Sequence, residues 1–93
     1  MLSVLRLIWD SWNVSHIARH KVTQDEVEEV CHNDPLVQEG KKNCLLVIGI
    51  TKDKKVLSII LDYEDGKGVY YPVTARAASK KERKLYKQED DKK

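Results

Sequence analysis

Two β-rich runs, Cys44 to Thr51 and Val56 to Tyr63, are separated by only four residues, Lys52-Asp53-Lys54-Lys55. That spacing is of hairpin length, so the two runs pair antiparallel and commit the centre of the chain to a sheet. A third run, Val69 to Ala75, follows across Glu64-Asp65-Gly66-Lys67-Gly68. Pro72 lies inside it and has no N–H to give a ladder, so this strand is either an edge or bulged at that point. Leu36 to Glu39 can add a short strand before the hairpin, and Leu5 to Trp9 reads as a first strand.

Helices are signalled by their starts. Thr23 and Glu26 have capping-box spacing, and Val22 with Val27 supplies the hydrophobic staple across the same turn. Val27, Val30 and Cys31 then face the core until Asn33-Asp34-Pro35 ends the helix. Asn13 to His20 fits a shorter helix with a modest apolar stripe of Val14 and Ile17. Ser79 and Glu82 form a second box, opening a helix from Lys80 to about Glu89, with 90–93 as a frayed charged tail. The order is β-α-α-β-β-β-α. It predicts an α+β fold, an antiparallel sheet of three to four strands with helices on one face, in a single domain over residues 3–89.

With 93 residues, 41% hydrophobic and 34% charged, the chain has enough apolar content for one folded core and is not compositionally disordered. No apolar run approaches the roughly 20 residues that span a bilayer, and Arg6 interrupts the apolar opening. A cytoplasmic protein without membrane partners is expected. Cys31 and Cys44 lie beside apolar residues and make no CxxC, which points to reduced thiols rather than a disulfide or zinc site.

Charge is distributed unevenly. Residues 1–40 hold 3 Lys/Arg and 7 Asp/Glu, a net −4, whereas residues 41–93 hold 14 and 8, a net +6. A domain with two signs can meet a polyanion on one side and a different partner on the other. The cations concentrate where the last strand meets the last helix: Arg76, Lys80, Lys81, Arg83, Lys84 and Lys87 surround the single acid Glu82. Cations beside helix-start amides attract phosphate, which makes this corner a candidate contact for RNA backbone. On a helical wheel Glu82, Leu85, Tyr86 and Glu89 share one side and Lys80, Arg83, Lys84 and Lys87 the other. Lys84 and Lys87 fit the wet face of an amphipathic helix. Arg83 lies at the edge of that face nearest Tyr86, and Arg76 is held by a strand end, where a planar guanidinium suits phosphate.

His16 and His20 stack one helical turn apart. An HxxxH pair can hold zinc, but no third ligand stands at a matching spacing, so neither a metal nor another cofactor is expected. An imidazole at His20 would suit proton transfer if the fold brings it to a pocket shared with Arg76.

Two segments together resemble a known family. The first comprises Trp12, Asn13, His16, His20, Val22, Thr23, Glu26, Val27, Glu28, Glu29 and Val30, followed by Asp34-Pro35; the second runs from Tyr70 through Arg76, Ala78, Glu82 and Arg83 to Tyr86. Both resemble the BrnT-type toxins of prokaryotic type II toxin–antitoxin systems, which have a RelE-like ribonuclease fold, and the similarity covers roughly residues 7 to 87. The resemblance implies metal-independent RNA cleavage and a BrnA-like antitoxin that silences it, with operator DNA bound only through the antitoxin complex. His20, Arg76, Glu82 and Tyr86 are the catalytic positions it carries over. His16 joins Arg83, Lys80 and Lys81 as candidate RNA contacts. The chain departs from the family at Lys21, where Gly is common, and at Lys41, Lys42, Lys54 and Lys55, where arginines are common. A toxin-like module that binds nucleic acid or protein without catalysis is the alternative.

Overall fold

The computed structural model describes residues 6–40, 44–64 and 68–91. Leu5, Lys41, Lys42, the turn residues 65–67 and the last two lysines of the tail lie outside the described residues. Strand β1 (Arg6–Leu7) is followed by α1 (Ser11–Ala18) and α2 (Gln24–Cys31). Four strands come next, β2 (Leu36–Glu39), β3 (Cys44–Ile50), β4 (Val56–Tyr63) and β5 (Val69–Ala77), before the last helix α3 (Lys80–Asp91). The sheet has five strands in the order β1-β5-β4-β3-β2.

The hairpin forms as its spacing requires, with Val47 opposite Ile59 and Ile48 opposite Ser58. Its turn is built on Thr51, whose Oγ1 accepts from the Lys55 amide at 3.1 Å, while Lys54 takes φ 66°. On β5 the pairing jumps from Thr74–Ile60 to Pro72–Leu61, leaving Val73 as the extra residue of a bulge. Pro72 thus sits beside a bulge, and β1 pairs β5 only at Val69 and Tyr70, so among the described residues no ladder partner faces Pro72 on that side either.

Several features depart from the expected fold, beginning with a sheet of five strands rather than three to four. The first strand shrinks to two residues and pairs parallel with Val69 and Tyr70, so the sheet is mixed rather than antiparallel. Helix α1 starts two residues earlier than Asn13, because Asp10 and Asn13 form a reciprocal capping box with both bonds at 2.9 Å. Buried Asn13 also donates from its side-chain amide to the Ile8 carbonyl at 2.9 Å, so the cap also fixes the β1–α1 connection. Helix α3 extends to Asp91, past the expected end near Glu89.

Side chains alternate across a strand, and this settles where the helices sit. Leu45, Val47, Leu57, Ile59, Leu61 and Ala75 join Ile17, Val27 and Val30 in one core, so α1 and α2 cover that face. Gly49 shares it. A Cβ there would stand 2.8 Å from Val30 Cγ1 and 3.2 Å from Pro35 Cβ, so α2 seats against bare backbone. Ile48, Ser58 and Arg76 face the other way in one cross-strand row. Arg76 reaches Glu82 of α3 from that row, and α3 contacts β3. The helices therefore lie on both faces rather than one. Only Ala78 and Ser79 separate β5 from α3, and Ala78 is pinned by its amide to the Val56 carbonyl at 2.9 Å. Cys31 is buried and free, and burial pushes its thiol up to about 12.

Candidate functional site

The α3 start is the most tightly bonded polar feature of the basic corner. Glu82 Oε1 accepts from the Ser79 amide at 2.8 Å and the Glu82 amide donates to Ser79 Oγ at 3.2 Å, completing the box read from the sequence. The same carboxylate takes a two-pronged contact from Arg76, Nη1 to Oε1 at 2.8 Å and Nη2 to Oε2 at 3.0 Å. Arg76 Nη1 also donates to the Ala77 carbonyl at 3.1 Å. The Arg76 bonds hold the Glu82 carboxyl down to about 2 against the opposing effect of burial, with the Ser79 amide and hydroxyl adding to them. Ser58 Oγ, buried behind the pair, makes no bond of ordinary length, yet stands near enough to favour the same charged form. The Arg76 guanidinium is correspondingly locked in its charged state, first by the Glu82 bond. A carboxylate this acidic is a weak base and holds no proton to donate at neutral pH.

A second arrangement sits beside it. His20 and Lys21 follow α1 in a turn closed by the Lys21 amide on the Ala18 carbonyl at 3.0 Å and the Val22 amide on the Ile17 carbonyl at 3.2 Å. Lys21 adopts φ 60°, a conformation for which glycine is the ordinary residue. This turn forms one wall of an open depression of about 700 Å³. Lys54 and Lys55 from the hairpin turn form another wall, Val56, Leu57 and Ala77 the apolar floor, and Arg83, Tyr86 and Lys87 of α3 the third side. No carboxylate lines it among the described residues. Lys55 Nζ is paired outside the depression with Glu26 at 2.9 Å.

The predicted site residues thus fall into three groups. His20, Arg83 and Tyr86 meet at the depression. Arg76 and Glu82 form the clamp next to it and do not line it, so the guanidinium that shares a pocket with His20 is that of Arg83. Lys80 and Lys81 border a shallower hollow of about 540 Å³ along α3, which Arg83 and Lys87 join to the first. His16 lines neither hollow and stands on α1 with its ring stacked on Trp12 at 4.8 Å and 8° and edge-on to His20 at 5.9 Å. No group of three or more His, Cys, Asp or Glu is placed to hold a metal ion among the described residues. Nor is any helix among them long and apolar enough to cross a membrane.

From the sequence, Lys21, Lys54 and Lys55 stood out only as departures from the family pattern and were not placed at the site. The positional signal for Lys21 was its place directly after His20. Trp12 was likewise visible at i, i+4, i+8 spacing with the two histidines. Comparison with protein-family models finds no match, and comparison with curated proteins finds none either.

Proposed function

We propose that this chain is a BrnT-like ribonuclease toxin that acts on RNA in the cytoplasm and is silenced by a cognate BrnA-like antitoxin. The observation that carries the reading is the meeting of His20, Arg83 and Tyr86 at one cation-walled depression. His20 and Tyr86 are two of the four catalytic positions that the resemblance to the toxin family carries over, and Arg83 is the candidate RNA contact that stands in the same motif. In the proposed reaction the ribose 2′-oxygen attacks the adjacent phosphorus and its proton passes to the His20 imidazole. Arg83, with Lys87 and Lys54 around it, stabilises the added negative charge on the phosphoryl oxygens. The P–O5′ bond breaks, the imidazolium returns the proton to the leaving 5′-oxygen, and a 2′,3′-cyclic phosphate remains. Tyr86 packs beside the reacting nucleotide. Arg76 works one step back: its clamp on Glu82 fixes the first turn of α3, from which Arg83 projects. Operator DNA is reached only through the antitoxin complex, in which an acidic antitoxin segment laid over the depression would neutralise its charge and block access.

The clamp also supports a second reading. Arg76 directs its charge at Glu82, and a toxin-like module that binds RNA through its lysines without cutting it would need no free guanidinium at that position. One experiment separates the two. Purified protein is incubated with RNA in EDTA, and both fragments and a mobility shift are scored. Fragments ending in cyclic phosphate are expected. A salt-sensitive shift without fragments selects the binding module, and neither signal rejects both.

A further inference from the structure

Among the described residues Trp12 and Val14 are the large apolar side chains left exposed, Trp12 at 55% of its surface, and Trp12 takes no part in the core. It is also ordered by its neighbours. One ring face lies flat on His16, and His16 meets His20 edge-on, so three rings run along a single side of α1 and its following turn. The ring centroids step 4.8 Å from Trp12 to His16 and 5.9 Å from His16 to His20, from the helix into the turn that follows it. The far end of this row is the wall of the cationic depression.

Flat aromatic surface continuous with a positively charged cleft is the combination by which proteins hold unpaired nucleic acid, since each base has a face to stack and each phosphate a charge to meet. From this we infer that the Trp12–His16 stack is a platform for an unpaired nucleotide flanking the phosphate held in the depression. The inference rests on the nuclease reading and adds to it a substrate class, single-stranded rather than duplex RNA, and a residue that positions it. The Trp12 face turned away from His16 takes the base. Lys21 and Lys54, at the depression, meet the neighbouring phosphates. A base in a duplex is already stacked on both sides and has no face to offer Trp12.

The test uses a fluorescently labelled, unpaired oligonucleotide with 2′-O-methyl riboses, which lacks the attacking hydroxyl and stays intact during titration. Its affinity is measured for the natural protein, Trp12→Ala and Trp12→Phe, alongside a hairpin duplex of the same composition. Trp12→Ala is expected to weaken single-strand binding about tenfold, with Trp12→Phe close to the natural protein and duplex binding unmoved. The slope of affinity against salt should stay the same, because Trp12 meets no phosphate. Equal single-strand affinities for the natural protein and Trp12→Ala would overturn the platform and leave the nuclease reading standing. So would a loss seen equally on the duplex, or a Trp12→Ala defect confined to antitoxin binding. If the natural protein neither binds nor cuts any RNA, the platform and the nuclease fall together.

Discussion

In the proposed reaction His20 and Arg83 do different work at the depression, and substitution separates it. His20→Ala removes the group that moves the proton and is expected to lower the cleavage rate by about 10²- to 10⁴-fold with RNA affinity nearly intact. Arg83→Ala removes charge from the transition state and should lower kcat by roughly 10²-fold. Arg76→Ala should act differently. Arg76 directs both its terminal nitrogens at Glu82, so its loss loosens the α3 start and should cost cleavage less than Arg83→Ala does. Single-turnover rates on variants with unchanged circular dichroism check the ranking, and an Arg76→Ala rate at or below that of Arg83→Ala would place Arg76 on the substrate. Sequence alone distinguished these arginines only partly. The helical wheel set Arg83 next to Tyr86, which the fold confirms at the depression. The Arg76–Glu82 clamp crosses a strand–helix turn, and no local periodicity reports a contact six residues apart around such a turn.

Each helix begins on a reciprocal box, Asp10 with Asn13, Thr23 with Glu26, and Ser79 with Glu82. Two of the three were legible because their residue types and spacing are local signals; the first was missed because Asp-x-x-Asn departs from the Ser/Thr-x-x-Glu pattern. The central hairpin was legible for the same local reason. The parallel pairing of β1 and the side taken by α3 were not, since both depend on contacts distant in sequence. The boxes also carry a pH dependence. Glu82 titrates near 2 in the folded protein against an ordinary value of 4.5. Glu26 is lowered too: burial pushes it up, but the Lys55 bond and the Thr23 amide outweigh that. A carboxyl whose folded value is depressed stabilises the fold above its unfolded value and loses that contribution as pH falls through the folded one. Stability should therefore drop between about pH 4.5 and 2, and Glu82→Gln should flatten that drop while lowering stability at neutral pH. Denaturant midpoints across the range check both. The α2–β3 contact makes a separate prediction. Val30 is β-branched and stiff in a helix, so it cannot readily turn away from a methyl group at position 49. Gly49→Ala should cost about 1–3 kcal/mol, read from the urea midpoint.

For the molecule as a whole, the uneven charge of the two halves becomes a spatial arrangement. The acidic first half places Glu26, Glu28 and Glu29 on α2, where Glu26 holds Lys55 and Glu29 accepts from the Lys52 amide at 3.0 Å. That helix thus braces the basic hairpin turn, holding the Lys55 ammonium on Glu26 while Lys54 lines the depression. Among the described residues, Lys21, Lys54, Arg83 and Lys87 line it without an ion pair to Asp or Glu. If those four side chains each meet a phosphate of single-stranded RNA, the released counterions set a slope of log affinity against log salt of about −3. Raising salt from about 50 to 200 mM should then weaken binding about 50-fold. Lys54→Ala should reduce the slope by about 0.7 without changing which sequences are preferred, since a lysine on a phosphate reads charge and not base. Titrations at four salt concentrations decide it. A slope near zero would mean that the lysines merely coat the surface, and the depression would lose its claim on RNA even if every other feature of the fold stood.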